Sequence, residues 1–561
     1  MTIRIIALLS AMALLLAGCG GGSGTSSTSS TGAVSEPAIA PALPATEVNN
    51  AAPDTPMSKE EAFRLLEQTT FGARLKDIES ISGSGPETWI DAQMALPATY
   101  LFASLRQSSN RSRWNEYINV WFRQVIGAED QLRQRVAFAL SEIFVVSAAD
   151  GLGDEQPALA NYYDILMRHS FGNYRDLIEA ITLNPVMGEY LSMKGNQKPN
   201  AEKNLRPDEN YARELLQLFS IGLSMLNEDG STINDSDGVP IPTYDQATVE
   251  AFAHVFTGWH FANADDFRWP DNKDFISPMV AWPEYHDTSE KTLLNGFVVP
   301  AGQSAEADLA MALDNIANHP NVGPFLVKQL ISKLVTSNPS SGYISDVVQV
   351  FNSNADGERG NLGSTIKAIL MHSEARLGHL EDPVHFGKTK EPLMRITQLW
   401  RAFEPDSIHP DFNYAWVGDE LQQAPLASPS VFNFFTPDFS QPGRIKDGGF
   451  VSPEFEILDE SSMISLSSRL LANSVWSHNY KVKSDSHRIA INIDREMQLE
   501  NDRDALLDHL NLLLLGGRMS DALRGEVNRL MNSRDYDNAG SQRIAEAIFL
   551  IITSPEAAVQ L

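Results

Sequence analysis

The fold of this chain is clearest in the stretch Arg206-Pro-Asp-Glu-Asn-Tyr-Ala-Arg-Glu-Leu-Leu-Gln-Leu-Phe-Ser-Ile-Gly222. Asp208 can cap the start of a helix here, and Gly222 can end it. The apolar residues recur at helical spacing, so one side of the helix can be buried. This buried stripe consists of Tyr211, Leu215, Leu218 and Phe219. The stretch therefore predicts an amphipathic helix that packs against the rest of the protein.

The same helical periodicity continues through most of the chain. It begins near Ser58, which stands three residues before Glu61 at the spacing of a capping box. Within residues 131–146 one face is apolar, and the other face carries Arg135 and Glu142. Further predicted helices cover residues 174–182, 326–334, 505–515 and 543–553. The pattern predicts a mainly α protein.

Strand signals are sparse in comparison. The best of them is a small β-hairpin near 230–243, with a turn at Asn234-Asp-Ser-Asp-Gly238. The chain has 561 residues, which exceeds the size at which a single hydrophobic core usually stops growing. We therefore expect a multi-helix globular body made of two packed lobes.

Charged residues recur on the polar side of the helix predicted within residues 206–222. Glu209 and Arg213 are four residues apart, and Glu214 follows directly after Arg213. Side chains at a spacing of four meet on a helix surface. Two interpretations stay open. Glu209 and Arg213 can form a surface ion pair on a polar ridge, or the three residues can form a partly buried catalytic network.

A second polar segment follows the predicted hairpin. Glu250 and His254 lie four residues apart on a predicted helix, as either an exposed pair or a pair of metal ligands. His286 and Asp287 stand side by side in an aromatic loop, an arrangement that suits proton transfer or metal binding and that also arises by accident. The candidates for ligand binding in this region are Trp259, His260, Trp282 and Tyr285.

Composition narrows the classes of function. The formal net charge is -29, and so acidic a surface repels nucleic acid. The single cysteine excludes internal disulfides and thiolate zinc sites from the body. No serine-hydrolase elbow, nucleotide-binding glycine loop or zinc-protease helix motif occurs in the sequence. The sequence does not identify a metal or a cofactor.

The amino-terminal region resembles that of a bacterial lipoprotein. Residues 1–18 combine a positive charge with a short apolar run that ends in Leu16-Ala17-Gly18 before Cys19, as in a lipoprotein signal peptide. The resemblance implies cleavage before Cys19 and its acylation with chains such as palmitate, which would anchor the protein to a membrane. Residues 19–56, rich in Gly, Ser, Thr, Ala and Pro, predict a disordered tether, and residues 57–561 the helical body. By resemblance to lipoprotein sorting rules, in which an aspartate after the cysteine retains the protein at the inner membrane, Gly20 implies the outer membrane of a Gram-negative cell envelope.

Several short motifs of the body together resemble a bacterial family described as domain of unknown function 1800. They occur in the family's order, from about residue 60 to the end of the chain. The matching motifs are Arg64-Leu65-Leu66, Thr70-Phe71-Gly72, Phe171 to Leu177, Glu209 to Leu215, Phe256 to Trp259, His286-Asp287, His319-Pro320, Lys388 with Glu391-Pro392, and Ser554-Pro555-Glu556.

The resemblance implies a family but no activity. Gln217 and His254 depart from the family pattern, which argues against a catalytic acid at 217 and against obligatory metal binding by Glu250 and His254. Family members are often encoded beside a secreted protein that looks like the alkaline phosphatase and sulfatase superfamily, which implies such a partner.

Two functional hypotheses follow. The favoured one is a lipid-anchored binding or assembly protein of the cell envelope, which holds a secreted partner or a surface polymer. The alternative is an envelope hydrolase, with or without a metal, that uses His286 and Asp287 together with Glu209, Arg213 and Glu214.

Overall fold

The computed structural model describes residues 51–476, 489–532 and 540–561, apart from residues 53, 406 and 415. The signal peptide, Cys19 and the tether up to residue 50 lie outside the described residues. The described part of the chain is mainly α-helical, as predicted, with a few two-residue strands.

The helices follow one another through the whole body. The first group is α1 Lys59–Thr69, α2 Leu75–Ile81, α3 Pro86–Ala95, α4 Leu101–Gln107, α5 Glu116–Gly127, α6 Gln131–Ser141, α7 Gln156–His169, α8 Tyr174–Thr182 and α9 Pro185–Tyr190. The second group is α10 Asn210–Gln217, α11 Gln246–Val255, α12 Ala305–Ala317, α13 Val322–Leu334, α14 Ser341–Asn352, α15 Leu362–Met371 and α16 Ser373–Glu381. The third group is α17 Pro392–Ala402, α18 Val417–Leu421, α19 Arg444–Asp447, α20 Glu460–Leu471, α21 Asp494–Gln498, α22 Arg503–Leu515, α23 Asp521–Met531, α24 Gly540–Ile552 and α25 Pro555–Ala558.

In the part of the chain that the structure describes, six short strands form three antiparallel pairs. Strand β1 Trp259–His260 pairs with β2 Val280–Ala281, and β3 Lys291–Thr292 pairs with β4 Val298–Val299. Strand β5 Lys388–Thr389 pairs with β6 Val559–Gln560, so the end of the chain is bound to a segment about 170 residues earlier. These pairs hold loops against the helices.

The helix boundaries agree with the local sequence signals in most places. The capping box at Ser58 is confirmed, because its hydroxyl accepts the Glu61 amide at 3.2 Å and Glu61 Oε2 accepts the Ser58 amide at 2.7 Å. Helix α10 is shorter than predicted. It ends at Gln217, and the next residues form wider turns in which the Gly222 amide donates to the Leu216 carbonyl at 3.0 Å.

The predicted hairpin is present as part of a small three-segment meander. Its turn forms around Asp235, whose amide donates to the Val239 carbonyl at 2.9 Å. A third segment joins on the other side, since the Ile233 amide donates to Met225 and the Met225 amide donates to Ile241. The pairing consists of isolated bridges, which suits the polar, exposed residues of this loop.

The hydrophobic core differs from the expectation of two lobes. The described residues of the body belong to one unit with a contiguous cluster of buried apolar side chains. Distant parts of the sequence share this core, because α1 packs against α22 and α6 packs against α13. Among the described residues, no helix has the length and apolar character needed to cross a membrane.

Candidate functional site

His286 lies inside the fold. Its Nδ1 is 2.9 Å from the Thr257 carbonyl oxygen, and its Nε2 is 3.1 Å from Asp308 Oδ2. Lys291 Nζ lies 2.7 Å from the same Asp308 oxygen and donates to the Asp287 carbonyl at 2.6 Å. All three side chains, His286, Lys291 and Asp308, are buried. Both ring nitrogens of His286 are therefore used to hold this loop onto the body.

Asp287 pairs with His254 of α11. Its Oδ2 contacts His254 Nδ1, and its Oδ1 accepts the Ser289 amide at 2.8 Å. Burial by itself raises the pKa of Asp287, but the hydrogen bonds from His254 and Ser289 outweigh burial and hold the pKa well below its usual range. The carboxylate is thus a stable partner that orients the partly exposed His254 ring.

Glu209 and Arg213 belong to a surface network. The predicted ion pair is confirmed, with Arg213 Nη2 at 2.8 Å from Glu209 Oε2. Gln246 Nε2 donates to the same Glu209 oxygen at 2.8 Å and to Glu250 Oε1 at 3.3 Å. Gln246, Glu250 and His254 stand four residues apart, so they form one ridge of α11 about 12 Å long. The ridge carries the Glu209 network at one end and the His254–Asp287 pair at the other.

Glu214 is placed differently from its neighbours. Its side chain is buried, and its Oε2 has no hydrogen-bond partner among the described residues. Burial raises the pKa of this carboxyl, and the nearby Arg213 opposes the shift. Glu214 is thus a buried acid beside the surface network.

The aromatic candidates pack against one another. Trp259 and His260 are both 2% exposed in strand β1, and burial lowers the pKa of His260 to about 4. Tyr285 stacks on Phe267 with ring centroids 3.9 Å apart, and Trp282 meets the same ring edge-on. Trp282 and Tyr285 are half-buried. Their rings support the loop and leave little open aromatic face.

A different region contains an open pocket, which we name the tryptophan pocket. It has a volume of about 380 Å³, within the range of small-molecule sites. Trp114 and Trp416 line it, with 51% and 57% of their surface exposed. Their ring centroids are 5.0 Å apart at an angle of 48°. The polar groups of the lining belong to Asn115, Tyr117, Asp419, Gln422 and Gln423.

Unusual backbone conformations concentrate around this pocket. Of the eight non-glycine residues with positive φ in the described chain, Asn115, Gln422, Leu426 and Asn433 line or flank it. Such conformations cost side-chain-bearing residues on the order of 1 kcal/mol or more and cluster at functional sites. A π-helical turn, Ala148–Leu152, forms one wall, and π turns are also frequent at functional sites. The strain is therefore evidence for function at this place.

Gln423 connects the pocket to a buried pair of carboxyl groups. Its Nε2 donates to Glu391 Oε2 at 2.6 Å and lies 3.4 Å from Glu142 Oε1. Its Oε1 accepts the Leu393 amide at 3.2 Å, in the first turn of α17. The carboxyl groups of Glu142 and Glu391 thus lie near each other, each with one oxygen within hydrogen-bond distance of the same amide nitrogen. One amide thus joins the strained pocket loop, a helix start and two acids.

Cations surround the carboxyl pair. Lys333 Nζ is 3.3 Å from Glu142 Oε2, and Lys388 Nζ is 3.7 Å from Glu391 Oε1 and 3.1 Å from Glu454 Oε1. All these side chains are buried. Burial of charge on this scale is costly unless the charges compensate one another.

The two acids of the pair titrate differently. Burial raises the pKa of Glu142 to about 7, with a further contribution from Glu391, while Lys333 and Lys388 act in the opposite direction. Burial also acts to raise the pKa of Glu391, but the lysines, Arg135 and Gln423 outweigh it and hold the pKa below its usual range. A carboxyl group that titrates near neutral pH is typical of functional sites.

Sequence reasoning placed Arg135 and Glu142 on the polar face of their helix, but both are buried. The reason is that α6 is enclosed by α1, α3, α7 and α13. Lys388 and Glu391 entered the sequence analysis only through the family resemblance. Trp114, Trp416 and Gln423 carried no local signal, because the pocket is assembled from separate parts of the chain. Within the described ranges, no group of three or more metal-binding side chains comes together.

Fold and site define a mainly helical protein with a strained, aromatic-lined pocket backed by a buried carboxyl pair. The chain belongs to the family described as protein of unknown function (DUF1800), whose family model matches residues 64–559. This confirms the resemblance found in the sequence motifs. No curated protein and no solved structure matches the chain.

Proposed function

We propose that this protein is a lipid-anchored binding protein of the cell envelope and that its tryptophan pocket holds a segment of a neutral surface polysaccharide. The observation that carries the proposal is the exposure of two adjacent tryptophans, Trp114 and Trp416, at one strained pocket. Large apolar side chains that stay exposed together mark interaction sites. The C–H faces of sugar rings pack well on aromatic rings, which combine apolar area with a defined geometry.

The polar lining supports a glycan over other ligands. Amide groups of Asn115 and Gln422 and the carboxylate of Asp419 are suited to hydrogen-bond sugar hydroxyls. Asp419 is the sole charged side chain among the described residues that line the pocket. A pocket with no cationic side chain in its described lining, on a chain of net charge -29, disfavours an anionic polymer. We therefore place the ligand among neutral glycans.

Anchoring through Cys19 completes the proposal. The lipobox-like sequence before Cys19 and the Gly/Ser/Thr-rich tether after it support a body held at the outer membrane, within reach of surface polymers. Replacement of Cys19 by alanine should move the protein from the membrane fraction to the soluble fraction and abolish incorporation of labelled palmitate. Unchanged membrane retention of Cys19→Ala would contradict the anchor.

Binding is tested with the purified full-length protein and neutral oligosaccharides from the envelope of the source cell, by calorimetry. Trp114→Ala and Trp416→Ala should each weaken binding at least tenfold, or about 1.4 kcal/mol. Trp269→Ala is the matched control, because Trp269 is 85% exposed and does not line the pocket. Equal binding by all three variants and the wild type, or no binding by the wild type, would overturn the glycan site.

The hydrolase alternative has less support. Both ring nitrogens of His286 are in hydrogen-bond contact, with Thr257 and Asp308, so His286 has no free nitrogen for proton transfer. A docked secreted protein of the alkaline phosphatase and sulfatase superfamily is a further proposal from the family resemblance. Release of reducing sugar ends on incubation of the protein with the oligosaccharides would favour the hydrolase.

A further inference from the structure

We infer that Glu142 and Glu391 share one exchangeable proton and that Gln423 couples this proton to the shape of the tryptophan pocket, so that ligand binding and proton binding are linked. The inference rests on the ligand pocket proposed above and adds its regulation. It stands on three structural observations: the proximity of two buried acids, the amide that bridges them, and the strained loop that carries this amide.

The proximity of the acids favours a shared proton. Two buried carboxyl groups that reach the same amide nitrogen repel each other when both are ionised. Neither Glu142 Oε2 nor Glu391 Oε1 has a hydrogen-bond partner among the described residues, although Lys333 and Lys388 lie within ion-pair distance. A proton on Glu142 removes the repulsion and provides a donor toward Glu391. The pair then resembles other carboxyl dyads that hold a single proton.

The charged groups that face Glu142 and Glu391 determine how readily Glu142 is protonated. Positive charge comes from Arg135 on α6, Lys333 on α13 and Lys388 on β5, and negative charge from Glu454. Tyr163 of α7 also interacts electrostatically with Glu142. Burial and Glu391 favour the protonated form of Glu142, while the lysines favour the ionised form, so the pKa lies at about 7.

The Gln423 amide transmits the loss of the proton to the pocket. Gln423 follows Gln422, which has a left-handed backbone with φ of 56°, and both residues line the pocket. Loss of the proton drives the carboxylates apart, and the Gln423 amide must follow one of them or lose a hydrogen bond. Because buried amides are costly to leave unpaired, the loop moves with it. Trp416 lies at the other end of the five-residue helix α18, which ends at this loop, so the aromatic wall shifts as well.

The direction of the coupling follows from the bridge. Gln423 reaches both acids in the same structure that holds the two tryptophans in contact, so we assign this pocket shape to the protonated pair. A ligand that prefers this shape must raise the proton affinity of Glu142, by the reciprocity of linked equilibria. Affinity should therefore fall as pH rises from 6 to 8, by about tenfold for each unit by which the ligand raises the pKa.

The experiment first uses the ligand-free protein. Tryptophan fluorescence of the wild type should titrate with a midpoint near pH 7, and the change should disappear in the Trp114→Phe/Trp416→Phe double variant and persist in Trp269→Phe. Glu142→Gln, which mimics the protonated acid, should abolish the titration. Asp164→Asn is the matched control, since burial also raises the pKa of Asp164 to about 7 but Asp164 binds the amides of Leu101 and Phe102 away from the pocket.

A second measurement detects the proton directly, first in the wild type. Infrared difference spectra of the wild type between pH 6 and pH 8 should show loss of a protonated carboxyl band, and Glu142→Gln should lack this component. A wild-type fluorescence signal that is flat from pH 5.5 to 8.5, or that titrates unchanged in Glu142→Gln, overturns the inference. If the titration is present but no glycan binds at any pH, the proposed ligand fails while the proton coupling stands.

Discussion

Gln423 Nε2 lies 2.6 Å from Glu391 Oε2, and this hydrogen bond joins the lining of an exposed aromatic pocket to a buried acid. Gln423 belongs to the loop after α18, and Glu391 is the residue that precedes α17. A negative charge at a helix start is favoured by the helix dipole, which adds to the effect of the surrounding cations. The bond therefore ties a loop with left-handed backbone residues to the start of a largely buried helix.

The stability of the protein should carry a pH dependence that originates from Glu142. Its pKa is about 7 in the folded protein against 4.5 as the ordinary value, so the folded state binds this proton more tightly than the unfolded state. The contribution of Glu142 to the free energy of unfolding is therefore greatest below about pH 4.5 and falls until about pH 7. Urea unfolding of the wild type and Glu142→Gln between pH 5 and pH 8 measures it. The variant should gain stability relative to the wild type as pH rises, and parallel curves would contradict the assignment.

Asp308 should be far more important for stability than another aspartate of the same helix. Its carboxylate is buried between Lys291 and His286, and removal of its charge leaves two buried cationic or donor groups uncompensated. Asp308→Asn should cost about 3 to 5 kcal/mol of unfolding free energy. Asp314→Asn is the control, since Asp314 is 61% exposed in its pair with Arg175 and should cost at most about 1 kcal/mol. Chemical denaturation of both variants decides the point, and equal losses would show that the buried triad is not compensated as described.

The buried pair of Glu67 and Lys390 should behave as a unit. The two atoms Glu67 Oε1 and Lys390 Nζ are 2.5 Å apart, and Arg518 lies 3.6 Å from the other carboxylate oxygen. Glu67→Gln leaves Lys390 without its charge partner and should destabilise the protein by about 3 to 5 kcal/mol. Replacing both residues, as Glu67→Gln with Lys390→Met, should recover part of this loss. A double-mutant cycle from thermal or urea unfolding measures the coupling, and strictly additive effects would refute it.

Two glycines near the carboxyl end should respond in opposite ways to alanine. Gly516 has a φ of 58°, and a Cβ there would lie 2.3 Å from Phe63 Cδ1 in the core. Gly516→Ala should therefore destabilise the protein through both backbone and packing. Gly525 lies within α23 and has open space around it, so Gly525→Ala should stabilise by about 0.5 to 1 kcal/mol. Thermal unfolding of the two variants gives the comparison, and a stabilised Gly516→Ala would contradict the close packing of α1 on α22.

Several elements were readable from the sequence because their causes are local. The capping box at Ser58, the ion pair of Glu209 with Arg213 and the turn around Asp235 each depend on residues within a few positions of one another. The helical character of the body depends on apolar spacing, which is equally local. The family membership followed from short motifs in a set order.

The candidate site was not readable in this way. His286 and Asp287 are neighbours in sequence, yet their side chains take different partners, Asp308 and His254, from two separate helices. Trp114 and Trp416 are about 300 residues apart, and nothing near either one indicates the other. The residues around Glu142 in the sequence have an ordinary helical pattern. Glu142 becomes a buried acid only because other helices enclose α6.

The sequence by itself determined the helical class of this protein, its family and the positions of its caps and turns, because these follow from spacing and chemistry within a few residues. The tertiary structure decided that the body shares one core, that the predicted histidine is used internally, and that a tryptophan pocket adjoins a carboxyl pair. The physical reason is that burial and charge compensation are set by which distant elements pack together. The same glutamate is a solvated acid on an open helix and a shared-proton partner inside an enclosed one.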